Sequence, residues 1–223
     1  MQAYKRDFID FLVRTGALRF GDFETKSGRR TPYFINIGNV RRGPQILELA
    51  RYYAAAIRDR IPGAFDVLFG PAYKGIPLVC TTSLILASEF DMDVAFSFDR
   101  KEAKDHGEGG RLVGHVPTDG ERVLILEDVT TAGTSIRQTV PLLRATARIE
   151  LAGLVVAIDR MERGSGERAA LAELAEEFSM PTCAIVTIDE VVEALRGREF
   201  DGREILRADD LLRIERYREK YGA

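Results

Sequence analysis

Cysteine is scarce in this chain: Cys80 and Cys183 are the only two in 223 residues, far apart and each in an apolar stretch. Two isolated thiols make neither a metal pattern nor a disulfide framework, so both are expected as small buried hydrophobes. No apolar run approaches the ~20 residues that a membrane helix needs, and no membrane association is expected. The first seven residues lack the apolar core of a secretory signal, which makes the cytoplasm the expected location. A basic excess is missing too: 32 Lys and Arg face 35 Asp and Glu, a net charge of −3 that argues against a general nucleic-acid binder. Any bound anion must therefore be met by local positive charge. Also absent is a loop of the form G-x-x-x-x-G-K-[ST], which a P-loop nucleotide hydrolase requires.

What is present is the composition of a globular protein, 45% hydrophobic and 30% charged, at a length suited to one sizeable domain. Apolar residues at helical spacing predict a first helix over 4–12, ended by Gly16. Short strands over 20–23 and 33–36 flank the basic segment 26–30, and after Gly43-Pro44 an amphipathic helix runs to about 61. Strands over 66–69, 94–98, 122–126, 154–158 and 182–187 then alternate with helices over 75–90, 134–147 and 166–178. That order predicts an α/β fold with right-handed crossovers and a mainly parallel central sheet flanked by helices. A small N-terminal helix-hairpin hood of about 1–40 precedes a core of about 41–200, and a helical tail of about 205–223 follows. The charged helix over 209–221 reads as a solvated cap.

The strand Val123-Leu124-Ile125-Leu126 runs into Glu127-Asp128 and then into Val129-Thr130-Thr131-Ala132-Gly133-Thr134-Ser135. Gly133, Thr134 and Ser135 supply turn and N-cap chemistry, so a helix is expected to begin near Thr134. Its first turn leaves backbone N–H groups without intrahelical partners, and with the helix dipole these suit a phosphate. The carboxylates sit at the strand's carboxyl end, where ligands bind in open α/β sheets. Carboxylates do not hold a bare phosphate; beside a phosphate cradle they suit sugar hydroxyls, a developing cation or a magnesium ion carried by the ligand. Taken alone, the same residues also fit a solvated loop start.

Two further segments share that edge of the sheet. The loop Gly70-Pro71-Ala72-Tyr73-Lys74-Gly75 joins a strand to a helix, and its glycines allow a path that aims N–H groups at a ligand. Residues 99–111 have no apolar stripe but hold two lysines, two arginines, a histidine and three glycines, which predicts a mobile loop able to close over a polyanion. Each segment also reads as plain surface structure, a turn in one case and a solvated excursion in the other. His115 has no such context and is read as structural.

Together these segments resemble the type I phosphoribosyltransferases. The likeness lies in the strand with two carboxylates and T-x-G-T around residues 126–134. Lys26-Ser27-Gly28-Arg29-Arg30 with Pro32-Tyr33-Phe34, the segment 69–77, and the segment 100–110 narrow it to the orotate phosphoribosyltransferases. The resemblance covers about residues 4–163. It implies transfer of ribose 5-phosphate from 5-phosphoribosyl 1-diphosphate to orotate, giving orotidine 5′-monophosphate and diphosphate, a step of pyrimidine (UMP) biosynthesis.

By position, the resemblance gives the 5′-phosphate to the loop Thr130, Thr131, Ala132, Gly133, Thr134 and Ser135 with Val129 beside it, and the ribose hydroxyls to Glu127 and Asp128. Lys26, Tyr73, Lys74, Arg100, Lys101, Lys104 and His106 would surround the diphosphate. Lys26, Lys104, His106 and Asp128 would act in catalysis, with Lys104 and His106 neutralising or protonating the departing diphosphate; among the loop residues only His106 has a reference pKa near neutrality. Phe34 and Ile35 would cover the orotate ring, Lys26 would reach it, and Thr131 and Arg160 would bond its polar edge, a guanidinium being suited to a carboxylate. Mg2+ is the implied cofactor, riding on the diphosphate and water with no dedicated protein ligands. The implied assembly is a homodimer in which the long loop completes the neighbouring site.

Many members carry two aspartates where this chain has Glu127-Asp128, so the contact made by the first carboxylate is an open point. A phosphoribosyltransferase for another base, such as a purine, would keep the diphosphate motif without needing Lys26 or Arg160. A non-catalytic sensor of the same donor would be expected to lose the basic lid or to add a nucleic-acid-binding domain.

Overall fold

The computed structural model describes residues 1–24, 29–104, 110–130, 132–164, 166–200 and 202–223, with 103 and 104 as backbone only. Lys26, Thr131 and His106 lie outside the described residues, as does the side chain of Lys104.

The apolar stripe of the N-terminus forms α1 (Ala3–Arg14), which buries Phe8, Ile9, Phe11 and Leu12. Phe8 and Phe11 pack on Tyr52 at ring-centroid distances of 5.1 and 5.5 Å. Gly16 ends the helix at φ +65°. β1 (Leu18–Glu24) and β2 (Arg30–Ile35) then pair as an antiparallel hairpin. Tyr52 belongs to the long helix α2 (Gly43–Arg60), which starts at the expected Gly43-Pro44.

A six-stranded sheet follows. Its strands are β3 (Val67–Gly70), β4 (Ala95–Lys104), β5 (Gly110–Gly114), β6 (Arg122–Glu127), β7 (Glu150–Asp159) and β8 (Thr182–Thr187), in the spatial order β5-β4-β3-β6-β7-β8. All neighbouring pairs are parallel except β4 with β5. Helices α3 (Gly75–Phe90), α4 (Thr134–Thr146) and α5 (Ala170–Phe178) make the crossovers, each beginning at the carboxyl edge of the sheet. The central strands read as continuous apolar runs because both faces are covered. On one face Leu68, Leu124, Leu126, Val155 and Ala157 pack with α1, α2 and α3; on the other Phe69, Ile125, Leu154 and Val156 pack with α4 and α5. The expected mainly parallel α/β fold is therefore present.

Four sequence expectations need correction. Residues 99–104 extend β4, and Gly110–Gly114 returns as β5, so the ends of the expected unstructured loop are an antiparallel hairpin. The charged C-terminal helix, α7 (Ala208–Tyr221), is not a solvated cap. Its residues Asp210, Ile214 and Tyr217 are buried, and Tyr217 meets the β2 ring of Tyr33 edge-on at 5.8 Å. The helix expected from residue 166 begins at Ala170. Cys80 is only half-buried, whereas Cys183 is buried; neither forms a disulfide.

Two elements were not foreseen. A helix α6 (Ile188–Leu195) opens on a reciprocal cap, in which the Thr187 hydroxyl accepts from the Glu190 N–H and the Glu190 carboxylate accepts from the Thr187 N–H. A short hairpin of β9 (Glu199–Phe200) and β10 (Arg203–Glu204) precedes α7 (Ala208–Tyr221). Among the described residues no helix is long and apolar enough to cross a membrane.

Candidate active site

β6 delivers Glu127 and Asp128 to the carboxyl edge of the sheet, each 7% exposed. Neighbouring elements fix the backbone there: the Tyr53 hydroxyl of α2 donates to the Glu127 carbonyl at 2.7 Å, and the Ala157 N–H of β7 donates to the Asp128 carbonyl at 2.9 Å. Burial pushes the Glu127 carboxyl well above the usual carboxylate range, against the Ser135 hydroxyl, which favours its charged form. Glu127 Oε2 is buried without a hydrogen-bond partner among the described residues. An acceptor left in that condition is costly unless a donor is brought to it.

Gly133 stands at φ +72° as the residue before α4, buried, with Thr134 and Ser135 opening the helix. A Cβ on Gly133 would come within 2.9 Å of Leu174 Cδ2 and 3.1 Å of Arg137 Nη1, so the turn is tight as well as left-handed. Arg137 braces the loop from outside, donating to the Ala132 carbonyl and, at 2.7 Å, from Nε to Glu177 of α5. Sequence reasoning passed over Arg137 because its partner lies 40 positions away. Thr130, Ala132, Thr134 and Ser135 are all at least partly exposed at this helix start, as the cradle requires.

The second loop approaches from β3. Gly70 and Gly75 close it by direct contact: a Cβ on Gly70 would lie 2.3 Å from the Gly75 carbonyl oxygen, and one on Gly75 would lie 2.5 Å from the Gly70 carbonyl carbon. Between them the Ala72 N–H donates to Asp99 Oδ1 at 2.5 Å, which ties this loop to the root of the β4–β5 hairpin. Tyr73 is 70% exposed. Lys74 Nζ reaches across to Asp128 Oδ2 at 2.6 Å, so the expected diphosphate loop and the carboxylate pair do meet. Tyr73, Arg100 and Lys101 line one open cleft of about 460 Å³ together with Phe98, Asp99, Glu102 and Val113.

At the other end of the site the arrangement differs from expectation. Arg160 directly follows β7 but is only 8% exposed, and it donates from Nε and Nη2 to Glu162 Oε1 at 2.9 and 2.7 Å. Its guanidinium stacks over Tyr33 at 4.7 Å and its Nη2 lies 3.4 Å from the Thr31 hydroxyl. The neighbouring ring is thus Tyr33, and not Phe34. Alternation along β2 turns Phe34 to the opposite face, against Phe23 at 5.5 Å and the Arg19 guanidinium at 5.4 Å. Ile35 shares the Tyr33 face by the same alternation. Glu162 was missed by sequence reasoning; as a charged residue after a strand it carries no signal that separates it from a surface residue.

Among the described residues no group of three or more His, Cys, Asp or Glu side chains converges to hold a metal. His115 pairs with Glu121 at 2.9 Å, away from these loops, which agrees with a structural role.

Residues 36–182 match the family "Phosphoribosyl transferase domain". The chain is 52% identical to the orotate phosphoribosyltransferase of Clostridium beijerinckii over 223 residues, covering 100% of both chains. It is 51% identical to that of Lachnoclostridium phytofermentans, covering 100% of this chain and 99% of the relative. A solved structure of orotate phosphoribosyltransferase from Francisella tularensis superposes with a TM-score of 0.82 at 34% identity, covering 97% of this chain and 100% of that one. A domain match that takes in the carboxylate edge and both loops, with likeness running the full length of these relatives, shows that the chain belongs to the orotate phosphoribosyltransferase family of type I phosphoribosyltransferases.

Proposed function

We propose that the protein carries out its family's reaction, the transfer of ribose 5-phosphate from 5-phosphoribosyl 1-diphosphate to orotate, at the edge formed by β3, β6 and β7. The observation that carries this reading is the placement of the buried pair Glu127 and Asp128 at the strand end, one short loop before a left-handed Gly133 that caps α4. A 5′-phosphate on the 130–135 loop, Thr131 included, sets the ribose against those carboxylates, with Val129 at the turn between them.

Breaking the sugar C1–O bond builds positive charge on the ring and negative charge on the leaving diphosphate, so the site must stabilise both. Glu127 and Asp128 accept from the ribose 2′- and 3′-hydroxyls and place negative charge beside the developing cation. Glu127 Oε2, unpartnered among the described residues, supports this role, since a ribose hydroxyl supplies a donor for it. Lys74 with Tyr73, Arg100 and Lys101 receives the diphosphate. By family likeness Lys26, Lys104 and His106 join them, and Lys104 and His106 neutralise or protonate the departing group.

Orotate enters at the end of β2, where Ile35 shares the Tyr33 and Arg160 side and Phe34, on the other face of the strand, would reach the ring only by a turn of its side chain; Arg160, Lys26 and Thr131 lie at its polar edge. Mg2+ would ride on the diphosphate and water, and Glu127 and Asp128 are the residues that would accept from its bound waters. Bound there, it would offset charge on the leaving group. A homodimer whose 99–111 segments complete the partner's site, acting in the cytoplasm, completes the proposal. It rests on the family resemblance.

Orotate depletion measured with 5-phosphoribosyl 1-diphosphate and magnesium, in parallel with hypoxanthine, guanine, adenine and uracil, tests this function. Consumption of orotate alone is the expected result. Consumption of a purine with orotate untouched overturns it.

A further inference from the structure

Glu162 gathers more partners than any role for Arg160 alone explains. Its Oε1 accepts from Arg160 at 2.7 and 2.9 Å, from the Tyr33 hydroxyl of β2 at 3.0 Å and from the Tyr217 hydroxyl of α7 at 2.9 Å. Its Oε2 accepts from Arg29 Nη1 at 3.1 Å. The residue is 6% exposed, so these contacts lie in a medium where charge-assisted hydrogen bonds are strong and directional. Burial also holds the Tyr33 and Tyr217 phenols above their ordinary range, which keeps both as O–H donors.

The backbone repeats the connection. Glu162 bridges Gly222, the Arg163 N–H donates to the Tyr221 carbonyl at 3.0 Å, and the Ala223 N–H donates to the Met161 carbonyl at 3.0 Å. The short segment that carries Arg160 is thereby laid against the C-terminal residues. The Arg29 guanidinium stacks over Tyr221 at 4.4 Å, closing the ring of contacts from the β1–β2 hairpin.

We infer that Glu162 is a positioning residue for the acceptor, holding the Arg160 guanidinium in register with β2 and coupling it to Tyr217 of the C-terminal helix. Both donors of Arg160 that Glu162 engages point to one carboxylate oxygen, which fixes the plane of the guanidinium. An anionic ring docking on that guanidinium meets a surface already oriented, and affinity gained by preorganisation of this kind is lost when the support is loosened. The C-terminal helix, remote in sequence from every residue expected at the site, becomes a determinant of acceptor affinity. The donor half, on β3 and β6, shares none of these contacts. This inference deepens the proposed function and rests on Arg160 facing the acceptor.

The test compares Michaelis constants for orotate and for 5-phosphoribosyl 1-diphosphate in Tyr217→Phe, Glu162→Gln and Arg160→Lys. Tyr217→Phe keeps the ring packing and removes one hydroxyl, so it folds even where Glu162→Gln does not. The expected result for Tyr217→Phe is an orotate KM raised about three- to tenfold, a fraction of what one lost hydrogen bond to a charged group costs because the effect reaches orotate only through Arg160, with the donor KM unchanged. Glu162→Gln raises the orotate KM further, with the donor KM again unchanged. A merely structural role moves the melting temperature, or both constants together, and either pattern without a selective orotate effect overturns the inference. An Arg160→Lys enzyme with a normal orotate KM removes the reading of Arg160 and the inference with it. A raised orotate KM in Arg160→Lys beside a normal one in Tyr217→Phe overturns the inference alone.

Discussion

Lys74 Nζ donates to Asp128 Oδ2 at 2.6 Å, joining the loop after β3 to the carboxylate at the end of β6. The lysine side chain is 55% exposed and the carboxylate 10%, so the ammonium is the mobile member of the pair. On the proposed function, a diphosphate that recruits Lys74 would compete with Asp128 for it and would release Asp128 to the ribose. Substrate binding and carboxylate placement would then be linked through one hydrogen-bond donor.

That link sets the first prediction. Lys74→Ala lowers kcat/KM for the diphosphate donor by about 10- to 100-fold, the range of a lost hydrogen bond to a charged group. Asp128→Asn lowers kcat more than it raises KM, because its charge is needed only as the ring becomes cationic. Steady-state kinetics with the donor varied separates the two.

Glu127 gives a pH dependence with a definite sign. Its folded carboxyl is raised above the unfolded value by burial, so between the two values the folded state holds more protons and stability falls as pH rises. The cost is absent below the ordinary carboxylate range and complete above the raised folded value. Urea unfolding midpoints at about pH 5 and about pH 8 are expected to fall across the window in the wild type and to flatten in Glu127→Gln. Equal slopes in both proteins would assign the slope to other groups.

Gly133→Ala combines a left-handed backbone with a methyl 2.9 Å from Leu174 Cδ2. The expected loss of stability is about 1–3 kcal/mol, and the donor KM rises as the cradle shifts. Thermal unfolding and donor kinetics on the same preparation check both effects.

Asp99 holds the Ala72 N–H at the root of the β4–β5 hairpin, so Asp99→Ala is expected to raise the donor KM several-fold while the orotate KM stays normal. Lys104→Ala and His106→Ala, by contrast, are expected to lower turnover strongly with an unchanged unfolding midpoint. Near-normal turnover in both would remove the proposed role of that hairpin in the chemistry.

The parts of this molecule legible in its sequence are those whose signal is local. Val123 to Leu126 run into two carboxylates and a glycine turn, and each of those residues speaks for its own backbone. The β4–β5 hairpin was not legible because none of residues 100–102 and 110–114 is buried to impose a period of two, and backbone pairing of Phe98 with Val113 and of Asp99 with Leu112 organises its root. The packing of α7 was hidden for another reason. Leu211, Ile214 and Tyr217 lie among seven charged neighbours over 209–220 other than Asp210, namely Asp209, Arg213, Glu215, Arg216, Arg218, Glu219 and Lys220, and the groups that Tyr217 meets, Tyr33 and Glu162, lie far outside its helix. Arg160 was found as a guanidinium at a strand end, but the carboxylate that orients it became visible only with Tyr33, 129 positions from Glu162, in place.

The contact between Gly70 and Gly75 bears on how variation at this site is to be interpreted. Neither residue has a side chain to offer a ligand, yet each excludes every alternative by the space its missing methyl leaves to the other's backbone. In a mutational scan scored by activity, both positions would tolerate glycine alone and would be indistinguishable from catalytic groups. What selection would be reading there is a distance between two stretches of main chain.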